Sequence, residues 1–397
     1  MLTGQPLPLS GLRVLDLTTV IFGPYTTQML GDFGADVIKI EAPGGDMVRD
    51  IGVARNDKMT ALFLGSNRNK RSIVLDLKRD AAKDALWRLI DGADMLVHNI
   101  RPQKVAKLGF DPDSVLQRNE RLVYGALLGY REDGPYGGMP AYDDVIQGQS
   151  GLAGTFSARD GEPVLMPTIV ADKTAALLAS NGLLAALVQR LTTGKGVYVE
   201  TSMFEGLVGY VLLEHQNGMI FDPPAAGPGY PRALSPERRP HRTADGYLCL
   251  LAYTDAQWRR FWDLTGGPAR AADPRFSSVR RRHENINALY RIAGEVLATE
   301  TTETWLARLR AAEIPAGPVN RLEDLFDDRH LLATGFFRPL DHPSEGALSI
   351  PDTAFRFDRQ SLPVHRPQPR LGEHGREVLA EAGLSEAEIE RALEGDE

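Results

Sequence analysis

The sequence predicts an α/β protein with a parallel sheet, together with a smaller region set apart from it. Two observations carry this. Up to about residue 130, short apolar runs alternate with stretches of helical length, a pattern that lays strands side by side and helices over their faces. Further on, the proline-rich segment Asp222–Pro240 breaks the regular pattern, because proline continues neither a helix nor a central strand. A chain of 397 residues with 43% hydrophobic content can bury a core in each of two such bodies.

Taken in order, Arg13–Leu17, Asp36–Ile40, Ser72–Leu77, Met95–Ile100 and Leu122–Leu128 read as buried strands, each a short run rich in branched apolar residues. Tyr25–Phe33, Ala81–Asp91 and Lys104–Leu108 read as helices between them. Gly23-Pro24 suits the opening of the first, since proline fits a first helical turn. The longest helical stretch runs from Asp172 to about Leu191 and is apolar nearly all round, so burial is expected. Gly194 and Gly196 punctuate its end, and Val197–Met203 reads as another strand. Beyond the prolines, Arg242–Asn320 forms a compact region with a strand at Tyr247–Ala252. Ser385 and Glu388 have the spacing of a capping box that opens a last helix.

The net charge of -8 argues against a general nucleic-acid or anionic-membrane surface. A single cysteine, Cys249, can form neither an internal disulfide nor a cysteine zinc site. The first residues lack the basic start and apolar centre of a signal peptide. No run of about 18 or more uncharged apolar residues suggests a membrane span. The cytoplasm is the expected location.

Several common chemistries leave no trace. Gly23, Gly31 and Gly34 do not make the GxGxxG spacing that lets backbone approach a pyrophosphate. There is no GxxxxGK[ST] loop and no HExxH. Gly148-Gln149-Ser150-Gly151 is one residue short of a nucleophile elbow. The histidines show no metal-ligand spacing, so no metal is expected.

Four features could carry chemistry. Asn67-Arg68-Asn69-Lys70-Arg71-Ser72 gathers three cations ahead of a strand, which suits a phosphate and equally suits a solvated loop. Ile21-Phe22-Gly23-Pro24 could place a helix N-terminus against a ligand or form a plain turn. Asp172 opens the long helix, where aspartate is a favoured N-cap. The same position would help keep its carboxylate ionised and able to attack an activated acyl group. Tyr142-Asp143 could orient a substrate or belong to a polar loop.

In chain order these segments resemble the class III CoA-transferases, the formyl-CoA transferase and carnitine CoA-transferase family. The matching pieces are Leu9-Ser10-Gly11-Leu12-Arg13-Val14-Leu15-Asp16, Gly23-Pro24 leading to Gly31-Asp32-Phe33-Gly34-Ala35-Asp36-Val37-Ile38-Lys39-Ile40-Glu41, Asn67–Ser72, and His98-Asn99 leading to Leu108-Gly109. Tyr142-Asp143, Asp172, Thr243-Ala244-Asp245-Gly246-Tyr247 and Ile314-Pro315-Ala316-Gly317-Pro318-Val319-Asn320 follow.

The resemblance implies a Rossmann-like large domain from residues 1–225 and 330–397, a small inserted domain at 226–329, and a homodimer of interlocked rings. It implies transfer of CoA from a donor acyl-CoA, with succinyl-CoA the family's suggestion, to a small carboxylic acid, and no tightly bound cofactor. Asp172 would be the nucleophile, with Tyr142 and Asp143 near the thioester. Val20, Ile21, Phe22, Asn69, Lys70, Arg71, Val97, His98, Asn99 and Lys107 would contact CoA. Lys107 stands where the family commonly has arginine. Ile21 stands where formyl-CoA transferase has glutamine, which points away from formyl or oxalyl substrates. The family's glycine-rich flap is not evident. A 2-methylacyl-CoA racemase is an alternative on this scaffold, although that branch places a histidine where Tyr142 stands. A non-catalytic acyl-CoA-binding protein is another.

Overall fold

The computed structural model describes residues 6–394. It divides into two compact units. One takes the chain up to Leu152, Leu165–Tyr210 and the stretch from Gly335 onward; the other takes Ala153–Val164 and Val211–Thr334. The family resemblance implies a small domain at 226–329, and the prolines place a boundary within Asp222–Pro240. The unit instead starts inside the helix Met203–His215, ahead of the prolines, and also takes 153–164. Proline marks where regular structure stops, which need not be where packing changes partners.

The first unit is built on six parallel strands: β1 (Arg13–Leu17), β2 (Asp36–Glu41), β3 (Lys70–Val74), β4 (Met95–His98), β5 (Val123–Leu128) and β6 (Val197–Ser202). Their order across the sheet is β3-β2-β1-β4-β5-β6, the Rossmann arrangement. Alternate residues feed opposite faces. Leu15, Ile38, Ile73 and Leu96 pack with helix Asp80–Asp91 and the C-terminal helices Gly375–Glu381 and Glu386–Leu393. Val14, Val37, Val97 and Val123 pack with helices Phe22–Asp32 and Val170–Thr193. The last helix opens on the Ser385–Glu388 capping box that its spacing predicts.

Two expectations are corrected. β3 begins at Lys70, not Ser72, so two of the three cations of the basic motif belong to the strand itself. The long helix is not buried all round. Ala171, Ala175, Ala176, Ala179, Leu183, Ala186 and Leu187 make the packed stripe, since alanines let the neighbouring helix approach closely, whereas Val188 and Leu191 are 62% and 72% exposed. By length and composition this helix is apolar enough to cross a membrane, yet here its alanine stripe lies in a protein core.

The second unit carries a three-stranded antiparallel sheet, His241–Arg242, Tyr247–Leu250 and Ala316–Pro318, with Tyr247–Leu250 in the middle. Its core holds Trp258, Phe261, Trp262 and Trp305, and the buried Trp305 indole donates to Leu297 O at 2.9 Å.

Candidate active site

In this sheet order the crossovers change direction between β1 and β4, and ligands of such folds sit beyond the carboxyl ends of the strands there. Thr18–Val20 follow β1, and Asn99–Pro102 follow β4. Asn99 ties the two together. Its Oδ1 accepts from the Thr19 N–H at 3.0 Å and its Nδ2 donates to Thr19 O at 2.8 Å. Beside them lies an open groove of about 280 Å³, lined by Thr19, Val20, Asn99, Arg101, Lys104 and Tyr142 among others. Arg101 and Lys104 stand one helical turn apart on the same side of helix Pro102–Leu108, where they offer two cations to an anionic ligand.

Asp172 is linked to this groove through Asp143, which accepts from its N–H and follows the groove residue Tyr142. It is not the N-cap expected of it. The helix starts at Val170 with Ile169 as its cap, so Asp172 is the third helical residue. Ile169 and Val20 both pack against the small buried cluster of Ile21, Val48, Met59 and Phe63, which seats the helix start beside the β1 turn. The capping role falls to Asp143, whose Oδ1 accepts from the N–H groups of Ala171 and Asp172 at 2.7 and 3.1 Å. The other Asp143 oxygen accepts from Gln147 Nε2 at 2.6 Å. Asp143 is thus buried with both oxygens occupied and offers no free base to a substrate. Tyr142 precedes it, 62% exposed on the groove wall.

The Asp172 carboxylate receives no hydrogen bond among the described residues and is half-buried. Burial first, and the neighbouring Asp143 charge second, raise its pKa from 3.8 to about 7. A helix start alone would favour the anion. Desolvation and a like charge win here, so the group titrates at neutral pH.

The remaining predicted contacts divide. Val20, Asn99 and Tyr142 line the groove. Ile21, Phe22 and Val97 are buried in the core beside it. His98 is enclosed as well. Its Nδ1 accepts from the Ile100 N–H at 3.1 Å, its Nε2 finds no partner among the described residues, and burial lowers its pKa to about 4. It is therefore a neutral core residue packed edge-on to Tyr124. Lys107 is exposed on the Arg101–Lys104 helix, outside the groove lining.

Asn69, Lys70 and Arg71 stand apart from the groove. They stand at the amino end of β3, the edge of the sheet opposite to Thr19 and Asn99, and each is taken up internally. Asn69 bonds Asp32 and the backbone of His365 and Arg366. Lys70 is fully enclosed, its ammonium surrounded by Asp16 Oδ2, Pro24 O, Thr27 Oγ1 and Asn67 Oδ1 at 2.9–3.0 Å. Burial lowers its pKa to about 8 against the pull of Asp16. Arg71 pairs with Asp36, Glu377 and Glu381. A charge run read from sequence shows the cations and not the distant carboxylates that claim them.

Arg101 and Lys104 are the groove residues that sequence reasoning missed. The available signal was position: a basic pair at the N-cap and in the first turn of a proline-opened helix, directly after the strand at the switch point. Among the described residues no group of histidines, cysteines and carboxylates is placed to hold a metal ion.

A family model described as CoA-transferase family III matches residues 9–375. The chain belongs to CoA-transferase family III. Membership makes it an enzyme of the transferase class, and it accounts for a Rossmann sheet without a dinucleotide fingerprint. Relatives of this family III enzyme cover nearly all of it. Succinyl-CoA:glutarate CoA-transferase of Mus musculus is 31% identical over 97% of this chain and 89% of its own length. Succinate–glutarate CoA-transferase of Agrobacterium fabrum is 34% identical over 94% and 95%. Formyl-CoA:oxalate CoA-transferase of Streptomyces coelicolor is 33% identical over 96% and 97%. Among solved structures, Rv3272 from M. tuberculosis superposes with a TM-score of 0.80 at 30% identity, covering 93% of this chain and 98% of that one. A CAIB/BAIF family protein from Brucella suis gives 0.79 at 30%, covering 95% and 100%.

Proposed function

We propose that this enzyme moves CoA from a donor acyl-CoA to a carboxylic acid through covalent chemistry on Asp172. The observation that carries the reading is a half-buried carboxylate with no hydrogen bond among the described residues, joined through Asp143 to Tyr142 on the wall of a groove with two cations.

The Asp172 carboxylate attacks the thioester carbonyl, the C–S bond breaks, and CoA leaves as thiolate, giving an acyl–aspartyl anhydride. The thiolate attacks the aspartyl carbonyl and releases the donor acid as its carboxylate. The aspartyl-CoA thioester is then attacked by the acceptor carboxylate, and the returning thiolate resolves the second anhydride at the acceptor carbonyl. One thioester replaces another, so neither ATP nor a net proton is needed. Arg101 and Lys104 hold CoA phosphates, and Tyr142 faces the thioester. One relative named for succinyl-CoA and glutarate, and another named for succinate and glutarate, support succinyl-CoA and a dicarboxylic acid as the substrate pair. The exposed apolar face of the Asp172 helix, with Leu177, Leu178, Val188 and Leu191, supports a homodimer.

Incubation with succinyl-CoA and hydroxylamine tests the reading. Mass spectrometry is expected to find a hydroxamate at Asp172, and added glutarate to yield glutaryl-CoA. No modification of Asp172 by any of a broad donor panel would overturn it.

A further inference from the structure

The turn that lines the groove after β1 is held by buried charge. Val20 has a backbone φ of 71°, in the left-handed region that a β-branched side chain disfavours. Such a conformation persists only where its surroundings impose it. Here each turn residue has its own restraint. Asp16 Oδ1 accepts from the N–H and hydroxyl of Thr18 at 2.9 and 2.5 Å. Asn99 brackets Thr19. Asp46 Oδ1 accepts from the Val20 N–H at 3.0 Å.

Asp46 comes from the loop after β2, and its side chain is fully enclosed. Its second oxygen receives the buried Lys39 ammonium at 2.9 Å, and the same ammonium donates to Thr18 O at 2.8 Å. The Asp46 N–H donates to Glu41 Oε1, and the Val48 N–H donates to Asp46 Oδ1. A buried ion pair is weak evidence for stability, because desolvation offsets much of its attraction. This one reaches the ligand groove through two consecutive peptides.

We propose that Asp46, braced by Lys39, is a positioning residue that locks Val20 in its left-handed conformation and so presets the groove wall for an acyl-CoA. The inference rests on the CoA-transferase reading. It predicts that Asp46→Ala weakens binding of CoA by about ten-fold or more, since the ligand would then have to order a wall that the clamp presets. Adding Val20→Gly to Asp46→Ala is expected to recover several-fold of the lost affinity, because glycine takes a positive φ without strain. In the wild-type background Val20→Gly should bring no such gain.

Titration calorimetry with CoA reads both effects, each variant first checked for native circular dichroism. Unchanged affinity in Asp46→Ala, or a double variant no better than the single, overturns the proposal. A wild-type protein that binds no CoA overturns the transferase reading instead. A measurement on the unaltered chain covers the case in which Asp46→Ala does not fold. By hydrogen exchange the Val20 amide should be protected equally with and without CoA. Fast exchange that slows only with CoA would show that the clamp does not preset the turn.

Discussion

Asp143→Asn separates the charge of Asp143 from its shape. An amide oxygen can still accept from the Ala171 and Asp172 N–H groups, so the helix start is kept while the negative charge beside Asp172 is removed and only the Gln147 hydrogen bond is given up. The rise of the Asp172 pKa from 3.8 to about 7 corresponds to roughly 4 kcal/mol between the two protonation states, at about 1.4 kcal/mol per tenfold. Burial supplies the larger part and Asp143 the smaller. Less than half of the total is therefore lost with the charge, a fall of up to about 1.5 pH units. Only the anion attacks, so acylation in the wild-type enzyme should climb with pH through about 7 and level off above it. In Asp143→Asn the same limb should move to lower pH, with more activity at pH 6 than the wild type relative to each plateau. The assay is the rate of hydroxylamine trapping at Asp172 from pH 5 to 9 with saturating succinyl-CoA. A wild-type profile flat across neutral pH would refute the idea that burial holds the proton. A limb that stays put in Asp143→Asn would refute the coupling of the two carboxylates.

The same pKa shift bears on stability. Asp172 keeps its proton in the folded state up to about pH 7 and loses it near 3.8 when unfolded, so this group's contribution is full below 3.8 and is lost as pH rises through 7. Asp172→Asn should abolish trapping and yet raise the Tm at pH 8, with little change at pH 4, by scanning calorimetry. Replacing Arg101 and Lys104 together by alanine should raise the Kd for CoA about ten-fold or more and flatten its salt dependence, as removed charge-assisted bonds require. Lys107→Ala, outside the groove, should change it less than about two-fold by the same titration. Lys70→Met leaves Asp16 buried without its cation, and urea unfolding should show a loss of about 3–5 kcal/mol.

The fold was legible where local pattern and tertiary role coincide. The apolar runs at Arg13–Leu17 and Leu122–Leu128 and the capping box at Ser385 needed no distant information. Asp172 was singled out by the ordered company of motifs, but its protonation could not be read from them, because that depends on burial and on Asp143 folding back from another helix. The basic motif misled for the same reason. Asp32, Asp36, Glu377 and Glu381 lie far from it in sequence, and no spacing rule connects them. The exposed side of the long helix was misjudged because its apolar residues outnumber those its own chain covers.

The segment from Gly335 onward has a consequence for biosynthesis. Arg71 and Ser72, made early, wait for partners made much later: Glu377 and Glu381 for the guanidinium, and the Gly372 N–H for the serine hydroxyl. Arg49 likewise donates to Pro369 O. On the ribosome, Val211–Thr334 can collapse while the sheet that emerged before it still lacks its closing helices. The body that carries Asp172 is therefore completed only after Val211–Thr334 has been made, and a nascent chain arrested before residue 369 would hold buried cations with part of their shell missing.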